Sequence, residues 1–347
     1  MAFSLEYAIM ILPREQGGMT MKAELQALCD LFIANRDIAR QAFKWDSDAV
    51  HPLCANIFCS RGMTMDIDRL QQCREIINNQ TGILSNFRGN LRPALAAMLA
   101  AGERPEEKMS QALENYRILK QDFWGSEYLA MVAFLLTDIA DTFQVEEKAG
   151  RGKTIYQRMK KEHPFLTSSE DSVFAVMMAF SEKTDDALIA DMEACYQGLK
   201  TRFFIGNSLQ TVSHVLAMAD SDPAEKVDRV IQLYESLRNA GVKYSRDYEL
   251  ATLAALAAMD VDLPTITAEI CEVDEFLSSQ KGYGFFGPGK GVRAMHAAMI
   301  VSDQFATRDQ VDTAAMAGTL AMIIAQQMAM IAVMASASAS AASSSSH

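Results

Sequence analysis

A glycine-rich stretch carries the most specific chemical signal in the sequence. Gly284–Lys290 matches the first seven positions of the G-x-x-x-x-G-K pattern, in which loop amides and a lysine hold the phosphates of a nucleotide. Gly291 stands where that pattern needs Ser or Thr for magnesium, and residues 273–280 before it are typical of a helix. The stretch therefore predicts a turn between helices, with Lys290 and Arg293 as candidate contacts for a small anion.

A second candidate site lies in a basic segment that ends in a proline. Lys160 and His163 offer groups that could bind an anion, and hydroxyl and carboxyl side chains follow shortly after them. A structural role is the simpler interpretation, because Pro164 ends one helix and Thr167 or Ser168 can cap the next. The segment is still the best exposed candidate for contact with a partner.

Two histidines occupy equivalent places in helices that follow phenylalanine-containing loops. His214 lies ten residues after Phe204, and His296 lies ten residues after Phe286. A pair of histidines could bind a metal ion or transfer protons. The corresponding residue in the first copy is Ala97, and a position that accepts alanine favours packing. The sequence therefore predicts structural histidines, and His296 stays a candidate contact if the protein is an enzyme.

The other residues that could do chemistry form no recognisable site. The six cysteines form no CxxC pair, and no histidine lies near them at metal-ligand spacing. This pattern predicts reduced, buried thiols in a cytoplasmic protein. We therefore predict no catalytic, metal or cofactor site. The net charge of −12 disfavours nucleic acid as a partner, because such binding depends on Lys and Arg.

The elements that must position these residues are helices. Nearly every segment after Thr20 has apolar residues three and four positions apart, which is the spacing of an amphipathic helix. Strict alternation, which would indicate strands, is almost absent, and Pro and Gly fall between the periodic segments. The sequence predicts an all-α protein of about fifteen helices, arranged as stacked hairpins like an α-solenoid or α-α superhelix.

Self-similarity supports this arrangement. Phe87–Asn90 (F-R-G-N) corresponds to Phe204–Asn207 (F-I-G-N), and Tyr116 and Tyr234 then fall in the same register of later helices. A weaker third copy contains Phe286. We therefore predict one repeat domain over 19–335, with four-helix units near 48–122, 168–240 and 245–320 and an extra hairpin at 125–163.

One segment also resembles a known family. Ile155–Ser168, with the sequence IYQRMKKEHPFLTS, is similar to a recurrent stretch of an uncharacterised bacterial family, domain of unknown function 4003. The helix start at Gly206–Gln210 and the Ala/Ser-rich tail are similar too, so the resemblance covers essentially the whole chain after Met19. It implies a cytoplasmic, all-helical bacterial protein, and it carries no activity, ligand or catalytic residue to transfer.

The two ends of the chain differ from the repeat region. Residues 1–18 lack the features of a signal peptide and are predicted to be disordered or a non-native extension, with translation starting at Met19 or Met21. Residues 314–335 are uncharged over a length that could span a membrane, but their alanines, methionines and central glutamines favour a buried helix. Residues 336–347 form an Ala/Ser-rich tail.

Three functions are compatible with these features. The first, which the sequence favours, is a cytoplasmic helical-repeat protein that binds or scaffolds an unknown protein or small-molecule partner. The second is an enzyme or small-anion-binding protein whose site is formed by loops of different repeats. The third is membrane association through a C-terminal helix at 314–335. The residues predicted to contact a partner or an anion are Lys160, His163, Lys290, Arg293 and His296.

Overall fold

The fold is entirely helical in the part of the chain that the structure describes. A computed structural model of the protein describes residues 21–167, 171–204, 206–244, 246, 249–284 and 287–308. This part contains helices and turns but no β-strand, which confirms the predicted fold class. The predicted extension at 1–18, helix at 314–335 and tail at 336–347 lie outside the described residues.

Longer helices alternate with shorter helices along the described chain, except that the last two described helices are both long. Two short 3-10 turns, Asn86–Arg88 and Leu136–Asp138, accompany them. The α-helices are α1 (Ala23–Ala42), α2 (Val50–Cys59), α3 (Ile67–Gln80), α4 (Arg92–Ala100), α5 (Pro105–Leu119), α6 (Glu127–Leu135), α7 (Thr142–Glu162), α8 (Asp171–Met178), α9 (Asp185–Lys200), α10 (Asn207–Met218), α11 (Pro223–Asn239), α12 (Leu250–Ala257), α13 (Leu263–Ser279) and α14 (Lys290–Arg308).

Odd-numbered and even-numbered helices are buried to different extents. The even-numbered helices are buried almost all round, and every residue of α2 and of α12 is buried. The odd-numbered helices bury one face, as expected for amphipathic helices. In α7 the buried residues recur every three or four positions: Val145, Ala149, Gly152, Ile155 and Met159. The even helices therefore form an inner layer that the odd helices cover.

Between residues 21 and 308, consecutive helices pair into seven hairpins, which stack side by side. Each odd helix packs against its even partner and against the next odd helix, from α1 through α13. In addition, α14 packs against both α1 and α2, so the last hairpin meets the first and the array closes into a ring. Sequence periodicity predicts the stacking but not the closure, because open and closed arrays have the same local pattern.

The repeated aromatic residues join neighbouring hairpins. Tyr116 in α5 meets the ring of Phe87 edge-on at 5.3 Å between centroids, and Tyr234 in α11 meets Phe203 in the same way at 5.2 Å. The two tyrosines thus have similar surroundings. The predicted match of Phe87 with Phe204 is shifted by one residue, because Phe87 and Phe203 are buried while Phe204 is exposed. The four-helix units stay a prediction.

The ring has two distinct ends, because its outer helices run in the same direction. At the loop end, outer helices lead into inner helices through connections whose described parts are 43–49, 81–91, 120–126, 163–167, 201–204 with 206, 240–244 with 246 and 249, and 280–284 with 287–289. At the capped end, inner helices lead back to outer helices through the connections 60–66, 101–104, 136–141, 179–184, 219–222 and 258–262.

Basic side chains close the inner helices at the capped end. Arg229 of α11 donates hydrogen bonds to three backbone carbonyls where α12 ends, those of Ala257 at 2.7 Å, Met259 at 2.9 Å and Val261 at 2.8 Å. Arg151 of α7 donates in the same way to carbonyls where α8 ends. The last carbonyls of a helix have no partner within it, so these arginines satisfy groups that would otherwise be unpaired.

Candidate functional site

Large apolar side chains project from successive connections at the loop end. We name them the apolar rim: Trp45, Ile83, Leu84, Trp124, Phe165 and Phe204. Trp45 is 88% exposed, Trp124 is 91% exposed and Phe165 is 98% exposed. The rim occupies five connections in a row and includes both tryptophans of the protein. A single exposed aromatic residue is ordinary, whereas this repetition at one end indicates an interaction surface.

Three of these connections also contain a second aromatic residue, which is buried and anchors the connection to the ring. The pairs of buried anchor and exposed neighbour are Phe43 and Trp45, Phe123 and Trp124, and Phe203 and Phe204. The anchors pack into the ring, as the edge-on contact of Phe203 with the following outer helix shows. Since each anchor supplies the buried apolar area that its connection needs, the exposed neighbour contributes little to folding.

Lysines give the loop end a basic character. Eight exposed lysines there form no ion pair with a carboxylate of the described residues: Lys44, Lys120, Lys160, Lys161, Lys200, Lys243, Lys281 and Lys290. At the capped end, acidic residues cap the outer helices by accepting hydrogen bonds from backbone amides, and these are Asp66, Asp141, Asp222 and Asp262. The negative charge of the chain is therefore unevenly distributed along the axis of the ring.

His163 begins the connection between α7 and α8. Its Nε2 atom lies 2.8 Å from a carboxylate oxygen of Glu193 in α9, and its ring lies 4.4 Å from the ring of Tyr196. Burial, with a smaller contribution from Glu193, raises the pKa of Tyr196. Lys160, one helical turn earlier, is exposed. His163 thus joins two outer helices, whereas Lys160 is available to a ligand.

A row of buried polar groups lies beneath this connection, between α8 and α10. The amide of Gln210 donates to the hydroxyl of Thr167 at 2.9 Å, and Nδ1 of His214 lies 3.3 Å from a carboxylate oxygen of Asp171. Burial, with a smaller effect of His163, lowers the pKa of His214 to about 3, so the imidazole is neutral. Neither nitrogen of His214 forms a hydrogen bond in the described structure, which is uncommon for a buried polar group.

The three C-terminal candidates lie on α14 in separate environments. Lys290 begins the helix and is exposed. Arg293 donates hydrogen bonds of 2.8 and 2.7 Å to the carboxylate of Asp274, which raise the pKa of the guanidinium. His296 is buried, with Nδ1 2.7 Å from the hydroxyl of Tyr283, and burial lowers its pKa to about 3.

These contacts belong to the place where the ring closes. Arg36 of α1 lies over the ring of Tyr283, at 5.3 Å from its centroid, and Phe32 of α1 lies 6.0 Å from the ring of His296. Gly282 has a φ of +94°, and a side chain there would meet an arginine of α1 at 3.4 Å. The glycine-rich stretch follows the helix α13, so it lacks the strand that precedes a nucleotide-binding loop.

The predicted contact residues share one end of the ring but do not form one site. Lys160 and His163 belong to the fourth hairpin, whereas Lys290, Arg293 and His296 belong to the seventh. The main neighbours of α7 are α5, α8 and α9, while those of α14 are α1, α2, α12 and α13. The sequence reasoning missed the apolar rim, although paired aromatic residues before an inner helix were a visible signal.

Other kinds of site are not found in the described part of the chain. No three His, Cys, Asp or Glu side chains in it are grouped so that they could hold a metal ion. The six cysteines are free thiols, and burial raises the pKa of Cys73 and of Cys195 to about 11, which leaves both protonated and unreactive. Between residues 21 and 308, none of the described helices has the length and apolar character needed to cross a bilayer.

Comparisons with known proteins place the chain in a family. A model of the family described as "Protein of unknown function (DUF4003)" matches residues 35–329. "Uncharacterized protein YeaA" of Bacillus subtilis (strain 168) is 29% identical over 251 residues, which cover 69% of this chain and 74% of that relative. No solved structure matches the chain. Since the family model extends from α1 to beyond α14, the protein belongs to the DUF4003 family.

Proposed function

We propose that the protein is a cytoplasmic binding protein whose loop end contacts a macromolecular partner. The apolar rim is the observation that carries this proposal. Its members follow one another around one end of the ring, beside buried anchors and among exposed lysines without carboxylate partners in the described structure. Aromatic residues are common in binding surfaces, because they bury a large area and lose little conformational entropy.

The exposure of the rim favours a broad binding surface over a small pocket. Residues that line a ligand pocket pack against one another. Trp45, Trp124 and Phe165 are too exposed to do so. Six free thiols are typical of a protein in a reducing compartment, and this is why we propose a cytoplasmic location.

Oxidative footprinting in intact cells tests this proposal before the partner is known. Hydroxyl radicals modify aromatic side chains according to their accessibility, so a covered rim is protected. We expect Trp45, Trp124 and Phe165 to be less oxidised in cells than in the purified protein. Phe143 is a matched control, because it is 74% exposed near the capped end and should react equally in both. Equal oxidation of the rim in both samples would contradict the proposal.

A second candidate function is binding or turnover of a small molecule at the polar row beneath the α7–α8 connection. His214 favours it, because both ring nitrogens lack hydrogen bonds and the Asp171 carboxylate is 3.3 Å away. A neutral imidazole beside a carboxylate can accept and return a proton. Native mass spectrometry of the wild type and of His214→Phe tests this function. A small molecule that is bound to the wild type but absent from the variant supports it. A wild-type protein that carries no added mass contradicts it.

A further inference from the structure

We infer that the loop end binds an anionic lipid surface, an assignment that rests on the proposed function and specifies its partner. In this arrangement the apolar rim enters the headgroup region of a bilayer, the surrounding lysines contact lipid phosphates, and the capped end faces away. The attachment is peripheral, since it uses side chains of the loops and no membrane-spanning helix.

The exposure of single rim residues distinguishes a lipid surface from a protein partner. Trp45, Leu84, Trp124 and Phe165 are each at least 88% exposed, so each side chain stands apart from the others. The centre of a protein-binding surface is a contiguous patch whose residues already cover one another in part. A bilayer accepts separated side chains, because each of them meets lipid directly. Successive hairpins place these residues around one end of the ring, where they can reach the same surface together.

The residue types of the rim match the interfacial region of a membrane. Tryptophan is enriched at that depth because its ring is apolar while its N–H can donate a hydrogen bond, and aliphatic residues such as Leu84 can insert further. Lys44 stands beside Trp45, with its Nζ atom 5.2 Å from the centroid of the indole ring, and Lys161 precedes Phe165 by four residues. A neighbouring lysine can therefore bind a phosphate while the aromatic ring is inserted.

The uneven charge allows an acidic protein to approach an acidic surface. The lysines without carboxylate partners lie at the loop end, whereas acidic caps occupy the capped end. The outer helices have between 14 and 21 residues, so the two ends are roughly 20 to 30 Å apart. Physiological salt screens exposed charges beyond about 8 Å. The lipid surface therefore interacts with the basic loop end and is little affected by the acidic capped end.

Vesicle co-flotation of the full-length protein tests the assignment. Vesicles of phosphatidylcholine are compared with vesicles of equal parts phosphatidylcholine and phosphatidylglycerol. We expect co-flotation with the anionic vesicles, less of it at high salt, and little with the neutral vesicles. Both tryptophans lie on the rim, so their fluorescence emission should shift to shorter wavelength when the anionic vesicles bind.

Variants at the two ends of the ring separate rim binding from other attachment. Phe165→Ser and the double change Lys160→Glu with Lys161→Glu alter exposed side chains and keep both tryptophans as reporters. We expect each variant to lower vesicle partitioning by about tenfold or more. Phe143→Ser and Lys148→Glu are the same kinds of change near the capped end, the second with half the change in charge, and both variants should bind as the wild type does. Thermal unfolding followed by circular dichroism verifies that all variants fold.

Three results would overturn the lipid assignment. These are absence of binding to anionic vesicles, equal binding to both vesicle types, and binding that the rim variants leave unchanged. If the rim is protected in cells but the vesicles do not bind, the partner is a protein, and the proposed function survives without the lipid assignment. If the rim is also unprotected in cells, both conclusions are wrong.

Discussion

The two ends of the ring hold their connections in different ways. At the capped end, Arg151 and Arg229 reach from outer helices and bind the carbonyls where inner helices finish. At the loop end, one buried aromatic residue anchors a connection while its neighbour stays in solvent, as Phe123 and Trp124 illustrate. The comparison teaches that the capped end holds its connections with charged hydrogen bonds, whereas the loop end uses a buried anchor and leaves the neighbouring side chain available for binding.

The capping arginines also show the repeat. Arg151 binds carbonyls 28, 30 and 32 residues later, and Arg229 binds carbonyls at the same three separations. The flanking residues agree as well, since Glu147, Lys148 and Tyr156 have the same spacing around Arg151 as Glu225, Lys226 and Tyr234 have around Arg229. An inner helix needs donors at its C-terminus, so the cap recurs together with the residue pattern of the outer helix.

Among side chains that act through hydrogen bonds, the largest effect should follow from removing a capping arginine. Arg229→Ala leaves three carbonyls without their charged donor, and we expect it to lower the free energy of unfolding by about 3 kcal/mol. Chemical denaturation measures this change. Arg202→Ala at the loop end is the control, because Arg202 is a partly exposed partner of Glu235 and its loss should cost about 0.5 kcal/mol. Equal losses for both variants would contradict the difference between the two ends.

Acid should destabilise the protein through its buried histidines. The pKa of His214 and of His296 is about 3 in the folded state, against 6.5 when unfolded, so the unfolded chain binds more protons between these values. Stability is therefore complete above pH 6.5 and decreases as the pH falls towards 3. Each histidine should cost about 2 kcal/mol on going from pH 7 to pH 5.

Denaturation of His214→Gln at both pH values measures one of these contributions. The variant should lose about 2 kcal/mol less than the wild type between pH 7 and pH 5, because it removes one titrating group. Nuclear magnetic resonance of labelled imidazoles offers a second measurement that does not depend on the variant. A ring of His214 or His296 that takes up a proton near pH 6 in the folded protein would show that the prediction is wrong.

A smaller effect is expected at the loop end where the ring closes. Tyr283→Phe removes the hydroxyl that lies 2.7 Å from Nδ1 of His296, and we expect a loss of about 1 kcal/mol in unfolding free energy. Tyr116→Phe is a suitable comparison, since its hydroxyl accepts a hydrogen bond from Asn86 in a more open setting. If Tyr116→Phe is the more destabilising of the two variants, ring closure depends little on the contact between Tyr283 and His296.

The rim itself should contribute least to stability. The combined change Trp45→Ser, Trp124→Ser and Phe165→Ser should alter the unfolding free energy by no more than about 0.5 kcal/mol per site, because these side chains are exposed beside buried anchors. Phe203→Ser, which removes an anchor, should destabilise the protein by at least about 3 kcal/mol. Similar melting temperatures for the triple variant and Phe203→Ser would remove the distinction between anchor and rim.

The sequence predicted the helices and their stacking because both depend on local apolar spacing. It did not predict closure, which depends on the small rotation between neighbouring hairpins added over the whole array. Nor could it tell Phe203 from Phe204, since two adjacent phenylalanines are equivalent until the backbone turns one of them inward. His163 and Lys160 were recognised by residue type, whereas the rim is defined by which side chains remain in solvent, and that requires coordinates.

Closure also brings Ala23 and the last described turn of α14 to the same end of the ring, on helices that pack against each other. The order of hairpins along the chain is then only one of several that could produce the same packing. Linking the two ends of the full chain and opening the backbone between the exposed residues Ile83 and Leu84 would give a circular permutant with every described inner helix still between its neighbours. Which hairpin comes first is therefore a matter of chain connectivity, separate from the architecture.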